Sequence, residues 1–296
     1  MICTTGSENK IWSIPLDGQT PYCINPVQEK GFQDGPLSIA QFNGIAGLCL
    51  DTEGNIIVSD FNNHKIRKIS KEGMVSTVAG SSKGFRDGPG GSAQFLSPTG
   101  LCIDSEGSII VCDRGNNTIR KIGRDGEVST LAGSAQGPSS LFNGPTGICV
   151  DFEGNFLISD YENHKIRKIS GRDKVVSTLC GTTQGSKDGD YGVAMLDHPC
   201  GLCVDSEGGI IVVSGEVIRK IKDGYVSTIA GSTKGYQDGN IGQAQFSTPV
   251  DLCLGSDGSL YITDRDNKKI RKMVLSERSR LYLERTGSPR HSSSIR

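Results

Sequence analysis

The chain has 296 residues, a net charge of −1, 40 glycines and only 6% aromatic residues. Many glycines between short apolar runs are typical of a turn-rich all-β chain, and the near-neutral charge does not support a dedicated nucleic-acid binder. No run approaches the roughly 18 apolar residues of a membrane span. The first residues lack the basic flank and apolar stretch of a secretory signal, so we expect the ten cysteines to be reduced thiols in a cytoplasmic protein.

The elements follow one another along the chain as copies of a single unit. Five short apolar segments, called strand a, recur at intervals of 53, 47, 54 and 50 residues. Self-similarity at this period indicates one supersecondary unit repeated along the chain. The five segments are Gly47-Leu-Cys-Leu-Asp51, Gly100-Leu-Cys-Ile-Asp104, Gly147-Ile-Cys-Val-Asp151, Gly201-Leu-Cys-Val-Asp205 and Asp251-Leu-Cys-Leu-Gly255.

Three more strands follow strand a in the unit. An acidic residue and a glycine mark the turn into strand b, a polar loop leads to strand c, and a second glycine turn leads to strand d. In the unit that contains Gly47 these strands are Ile56–Ser59, Lys65–Ile69 and Val75–Ala79. Four short strands rich in β-branched residues within about 50 residues are typical of a propeller blade. The cysteine in each strand a fits such a blade as a small buried hydrophobe, not as part of a disulfide set.

The two ends of the chain hold incomplete units. Residues 2–24 match strands b, c and d, and the last unit has strands a, b and c without a clear strand d. Three strands at each end cannot merge into one four-stranded blade, so we predict an all-β propeller over residues 1–275 with six blades, the terminal two incomplete. The alternative is that the chain is a truncated form of a longer protein.

Residues 276–296 end the repeat pattern. Five arginines against two glutamates, followed by several serines, predict a disordered basic tail. Leu281-Tyr-Leu283 is a candidate for a late strand d. Ser288, with Arg285 three residues before it and Pro289 after it, is a candidate for phosphorylation.

Two segments carry a family resemblance. The stretch Pro98–Ile122 closely resembles the NHL repeat, and so does Asp60–Ile69, where Asn63-His64 preserves part of the signature that names the family. The resemblance covers roughly residues 1–275 and recurs in five units, which makes it more specific than a single motif. It implies a propeller, commonly six-bladed, that is used for protein binding and in some members for RNA binding.

An acidic residue ends strand b in four of the units, and an asparagine stands three residues later. One interpretation is a ring of carboxylates and amides that binds a metal, as in the related lactonase propellers. The other is that these side chains bond nearby backbone amides and shape the loop from b to c. Because the pattern recurs in nearly every unit, whereas a catalytic site needs different residues from different blades, we favour the second interpretation and predict no cofactor, metal site or catalytic set. The aspartates are Asp60, Asp113, Asp160 and Asp264.

One arginine also recurs in each strand c. One interpretation is a basic ring that binds phosphate groups. We favour the other, in which the aliphatic part of each arginine packs between blades and its guanidinium pairs with nearby carboxylates. The histidines reveal no acid–base dyad: His64 and His164 are repeat equivalents, His198 precedes Pro199, and His291 lies in the tail. The arginines are Arg67, Arg120, Arg167, Arg219 and Arg271.

Positions that vary between units are the candidates for partner binding. Aromatic and arginine side chains on one rim are enriched in binding hot spots. We therefore predict a non-enzymatic scaffold whose rim recognises a protein or peptide, with an RNA-binding propeller or a metal-dependent lactonase-like or lyase-like enzyme as alternatives. A simpler interpretation is that Phe61 and Tyr161 only cap their own loops. The candidates are Phe61, Arg114, Tyr161 and Arg265 after the loop aspartate, and Arg86 and Lys187 in the loops from d to a.

Overall fold

The computed structural model describes residues 2–4, 9–13, 15, 20, 22–27, 29–134, 141–240 and 242–275. The predicted tail at 276–296, with the candidate strand Leu281–Leu283 and Ser288, lies outside the described residues. Within the described part, the chain consists of antiparallel β-strands and three short 3-10 turns.

The strands form six sheets, taken here in chain order. Sheet 1 has the order β1-β2-β3, with Ile2–Thr4, Ile11–Ser13 and Tyr22–Cys23. Sheet 2 has the order β4-β8-β7-β6-β5, with β4 Gly35–Pro36, β5 Ile45–Leu50, β6 Ile56–Asp60, β7 Lys65–Ile69 and β8 Met74–Ala79. Sheet 3 has the order β9-β13-β12-β11-β10, with β9 Gly88–Pro89, β10 Pro98–Ile103, β11 Ile109–Asp113, β12 Thr118–Ile122 and β13 Glu127–Gly133.

The remaining sheets repeat this plan. Sheet 4 has the order β14-β15-β16-β17, with Pro145–Val150, Phe156–Asp160, Lys165–Ile169 and Val176–Cys180. Sheet 5 has the order β18-β22-β21-β20-β19, with β18 Gly189–Asp190, β19 Pro199–Val204, β20 Ile210–Ser214, β21 Val217–Lys222 and β22 Tyr225–Ala230. Sheet 6 has the order β23-β24-β25, with Pro249–Leu254, Ser259–Asp264 and Lys269–Val274.

These sheets confirm the predicted strands a to d and the three-stranded terminal units. They also add one element that the sequence did not predict. In sheets 2, 3 and 5, two residues of the loop from d to a pair with strand d as a fifth, outermost strand, for example Gly35 with Val75. The Gly-Pro and Gly-Asp pairs of this loop lie extended along an edge that would otherwise leave backbone groups unpaired.

The chain divides into two compact units. Unit 1 comprises Met1–Asn163 and Arg167–Ser177, and unit 2 comprises His164–Ile166 and Thr178–Arg296. In the described part of unit 1, three apolar clusters lie between consecutive sheets. Each contains one phenylalanine from the loop before strand a, namely Phe42, Phe95 or Phe142. In unit 2, a cluster around Phe246 joins sheets 5 and 6. Burial on both faces explains why the inner strands read as continuous apolar runs.

Candidate functional site

A buried arginine organises the loops of sheet 2. Arg67 in strand c is fully buried, and its two terminal nitrogens lie 2.7 Å from Asp60 and 2.5 Å from Asp34. Its guanidinium carbon also lies 4.8 and 5.0 Å from the ring centroids of Phe32 and Phe42. The charge is thus paired, and the guanidinium contacts two aromatic rings.

The same arrangement recurs in two other sheets, which confirms the packed interpretation of the strand c arginines over a phosphate ring. The sequence did not reveal the aromatic pairs, because their members lie some ten residues apart in the loops from d to a. The equivalents are Arg120 with Asp113, Asp87, Phe85 and Phe95, and Arg271 with Asp264, Asp238, Tyr236 and Phe246.

The aspartate that ends strand b is engaged by its own loop. Asp60 accepts hydrogen bonds from the Asn43 main-chain N–H at 2.8 Å and from the Asn63 amide at 2.8 Å, in addition to that from Arg67. Burial raises the pKa of Asp60 above its usual value, and these hydrogen bonds and the guanidinium oppose that rise. The loop-shaping interpretation is therefore confirmed for this position, and the same bonds occur at Asp113.

The asparagine three residues later ties two loops together. The Asn63 amide also donates to the Gly31 carbonyl at 2.8 Å, which connects the b–c loop to the loop before strand a. Asn116 bonds Gly84 in the same way. Both loops therefore open at the same end of the strands in sheets 2 and 3.

Of the four predicted rim residues in unit 1, three stand at the first position of a 3-10 turn. Phe61, Arg114 and Tyr161 begin the turns Phe61–Asn63, Arg114–Asn116 and Tyr161–Asn163, and all three side chains are half-buried. The Arg114 guanidinium lies 5.3 Å from the centroid of the Tyr161 ring and 4.0 Å from the Glu162 carboxylate. The structure thus brings Arg114 and Tyr161 together, whereas Phe61 only holds the equivalent position in sheet 2. We call these three residues the rim patch.

The other candidates have exposed side chains on fixed backbones. Arg86 lies in unit 1, and its carbonyl accepts a hydrogen bond from Arg120 at 2.8 Å. Lys187 lies in unit 2, and its carbonyl accepts one from Arg219 at 2.9 Å. Arg265, also in unit 2, is exposed and lies 3.4 Å from the Asp266 carboxylate.

Sheet 5 departs from the pattern of the other sheets. A two-residue turn joins Ser214 to Val217 without a 3-10 turn, and Ser214 replaces the buried aspartate. Arg219 is fully buried and retains Asp188 at 2.7 Å. Burial lowers the pKa of Arg219, and Asp188 opposes that effect.

A second cluster lies in unit 2 and was missed from the sequence. His164, Asp197 and His198 each offer one nitrogen or oxygen ligand atom, and these atoms all lie within 4.8 Å of one another. The imidazole rings of His164 and His198 meet edge to face with centroids 4.4 Å apart. His198 Nδ1 lies 2.7 Å from Asp197 Oδ1, so a histidine and a carboxylate lie together here, although the sequence revealed no acid–base dyad. In the structure, the residue before strand a contacts the residue that ends the b–c loop of the preceding repeat, a contact that the sequence spacing does not show.

The comparisons with known proteins identify the repeat. The family model described as NHL repeat matches residues 42–69, 95–122, 142–169 and 246–273. The chain therefore contains NHL repeats. The predicted NHL-type β-propeller fold class is thereby confirmed. The four matched segments of this NHL-repeat protein do not include sheet 5, whose b–c turn is shortened.

Relatives of this NHL-repeat protein have diverse descriptions. A curated relative, the protein SUPPRESSOR OF QUENCHING 1, chloroplastic, of Arabidopsis thaliana, is 35% identical over 122 residues, which is 39% of this chain and 12% of the relative. The chain thus spans only a small part of that protein's length.

Solved structures share the fold at low identity. They include a virginiamycin B lyase of Staphylococcus aureus in complex with quinupristin (TM-score 0.58, 17% identity, 92% of this chain and 75% of that chain). An auxiliary nutrient binding protein of Bacteroides ovatus is similar with a TM-score of 0.67, 16% identity and coverage of 91% and 67%. A gluconolactonase of Xanthomonas campestris has a TM-score of 0.58, 14% identity and coverage of 79% and 73%. In the part of the chain that the structure describes, no helix has the length and apolar character needed to cross a bilayer.

Proposed function

We propose that this NHL-repeat protein is a non-enzymatic binding scaffold and that the rim patch of unit 1 recognises an extended peptide or a protein loop. The observation that carries the proposal is the contrast between fixed backbones and varied side chains. Buried arginines and asparagines hold the loop main chains of sheets 2 and 3 in nearly the same way. The side chains that these loops display differ from sheet to sheet, which is how a rigid repeat frame supports specific recognition.

The chemistry of the rim patch favours a protein partner. The Arg114 guanidinium lies beside the Tyr161 ring and the Glu162 carboxylate, so its charge is partly balanced and it contacts an aromatic side chain. Preorganised aromatic and arginine groups contribute strongly to protein interfaces because little side-chain entropy is lost on binding. An RNA site would need a basic excess that this patch does not supply.

The fold itself does not decide between binding and catalysis, since its structural neighbours include enzymes and a nutrient binding protein. The non-enzymatic part of the proposal is supported by the recurring aspartates, whose carboxylates form internal hydrogen bonds. The proposed compartment is the cytoplasm, which the reduced thiols of Cys49, Cys102 and Cys149 support.

The test is affinity capture from cell extract with the full chain, run with and without nuclease, followed by measurement of Kd for a recovered partner. We expect nuclease-resistant recovery, and we expect the triple variant F61A/R114A/Y161A to weaken binding by about 30-fold or more, the effect of losing one strong hot spot. The matched control is Phe152→Ser. Phe152 is 75% exposed at the opposite end of strand b of sheet 4, and the equivalent position in sheet 3 is Ser105.

Folding of each variant is checked by its circular dichroism melting curve, and Arg114→Gln, which changes one half-buried side chain, serves as the milder variant. Partner binding that is unchanged in both rim variants, or that Phe152→Ser weakens equally, overturns the proposal. Recovery that disappears with nuclease replaces it with an RNA-binding function.

A further inference from the structure

We propose that His164, Asp197 and His198 in unit 2 form a binding site for a zinc-class divalent metal ion. This inference goes beyond the proposed function and is independent of it, because the rim patch lies in unit 1 and contains none of these residues.

The donor atoms are close to coordination distance. Zinc holds imidazole nitrogen and carboxylate oxygen at about 2.0–2.2 Å, so the ligand atoms around a tetrahedral ion are roughly 3.3 Å apart. The three donor atoms here lie within 4.8 Å of one another. Metal binding would therefore draw the imidazole and carboxylate side chains closer together around the ion.

Neighbouring groups already orient the donors. His164 Nδ1 accepts the main-chain N–H of His198 at 3.2 Å, which fixes the orientation of the His164 ring beside His198. The Gln184 amide donates to Asp197 Oδ1 at 2.9 Å and holds the carboxylate beside His198. The side chains of His198 and Asp197 are 32% and 37% exposed, so an ion can reach them from solvent.

The other sheets show which part of this cluster the fold itself requires. The residue before each strand a donates its main-chain N–H to a side chain at the end of the preceding b–c loop, as Ser97 does to His64 at 3.0 Å. Gly144 donates to Asn117 at 2.8 Å in the same way. One acceptor is therefore enough for the fold, and this explains His164 but not the imidazole of His198.

The carboxylate of Asp197 is likewise not required by the repeat. The main-chain N–H at this position bonds the end of strand b in each case, whether the residue is Asp197, Leu96 or Asn143. We call the contact between the residue before strand a and the end of the preceding b–c loop a junction. Among the junctions in the described part of the chain, the one at His198 combines two imidazoles and a carboxylate. Nitrogen-rich donors of this kind select zinc, cobalt, nickel or copper over magnesium and calcium, which prefer oxygen ligands.

The experiment titrates the full chain, freed of metal with EDTA, with Zn²⁺ and Co²⁺ by calorimetry and visible absorption. We expect one site per chain whose Co²⁺ spectrum shows d–d bands without thiolate charge-transfer bands, which separates it from cysteine binding. At a hundredfold excess of Zn²⁺ over Kd, the melting temperature is expected to rise by about 5 °C.

The variants are taken from the repeats themselves. His164→Asn matches Asn117 and His198→Ser matches Ser97, so each retains the side chain that another junction uses. Each is expected to weaken Zn²⁺ binding about 100-fold or more, and Asp197→Asn about 10-fold or more. His64→Asn is the matched control, because it removes an equivalent histidine in unit 1, and it is expected to leave Kd unchanged. An affinity weaker than about 1 mM, or equal binding by His164→Asn, His198→Ser and the parent chain, overturns the proposal.

Discussion

Removal of the buried arginine of sheet 3 tests whether the recurring ion pairs hold the loops together. Arg120 is fully buried beside Phe85 and Phe95, and its guanidinium pairs with Asp113, which is also fully buried. The Arg120→Met variant keeps much of the apolar volume but leaves the Asp113 carboxylate without its cation. Burial already raises the pKa of Asp113, and loss of the guanidinium raises it further.

The expected loss in the free energy of unfolding at pH 7 is about 3–5 kcal/mol, the cost of leaving a buried charge uncompensated. Sheet 5 supplies the matched control, because Ser214 stands there in place of the aspartate. Arg219→Met leaves only Asp188, whose side chain is 35% exposed and therefore hydrated. We expect that variant to lose about 1–2 kcal/mol, mainly through altered packing and hydrogen bonding.

The measurement is equilibrium unfolding in urea, followed by circular dichroism, between pH 4 and pH 8. A carboxyl group with a raised folded pKa costs stability above that pKa and costs nothing below its unfolded pKa near 3.9, so the penalty of Arg120→Met is expected to shrink as the pH falls. Addition of Asp113→Asn is expected to restore part of the loss. Equal losses in the Arg120 and Arg219 variants, or no restoration by Asp113→Asn, would refute the reasoning.

Two further predictions concern single titratable groups. Burial raises the pKa of Cys49, Cys149 and Cys180 to about 12. At pH 8 these thiols are therefore expected to react with iodoacetamide about 1000-fold more slowly than in the urea-unfolded chain. Mass spectrometry of labelled peptides measures the two rates, and equal rates in both states would contradict the prediction. Asp251 is surrounded by protein atoms, which raise its pKa to about 6, yet part of its side chain remains exposed. Because water screens the exposed part, Asp251→Asn is expected to stabilise the fold by only about 1 kcal/mol at pH 8 and not at pH 4. Asp257→Asn should change stability in the opposite direction, since Lys272 lowers the pKa of Asp257 to about 2, and the same sign of change in both variants would count against the assignment.

Much of the fold follows from patterns that are local in sequence. The runs around Ile56 and Ile66 are apolar, β-branched and bounded by glycine turns, and the structure confirms them as strands. The turn at Asp51 behaves as its composition predicts, with the carboxylate accepting the main-chain N–H groups of Glu53 and Asn55. Local chemistry decides these elements, so the sequence is sufficient to predict them.

The parts that could not be predicted depend on residues far apart in the chain. The aromatic rings beside Arg67 come from a loop that precedes it by more than 20 residues. The contact of His164 with His198 joins two repeats, because His164 ends the b–c loop of one repeat and His198 precedes strand a of the next. A repeat alignment locates equivalent positions, but it does not tell which positions of neighbouring repeats face each other.

The hydrogen bond at each junction also bears on how such a chain can change over time. Its acceptor is an amide at Asn9 and Asn117, an imidazole at His64 and His164, and a carboxylate at Glu216. The same main-chain N–H therefore donates to a neutral amide, a titratable imidazole or a carboxylate, and the backbone at the junction stays the same. Mutation can exchange these chemistries at a junction without disturbing the blade on either side, so each junction is a position where a repeat protein can acquire new ligands while its fold stays constant.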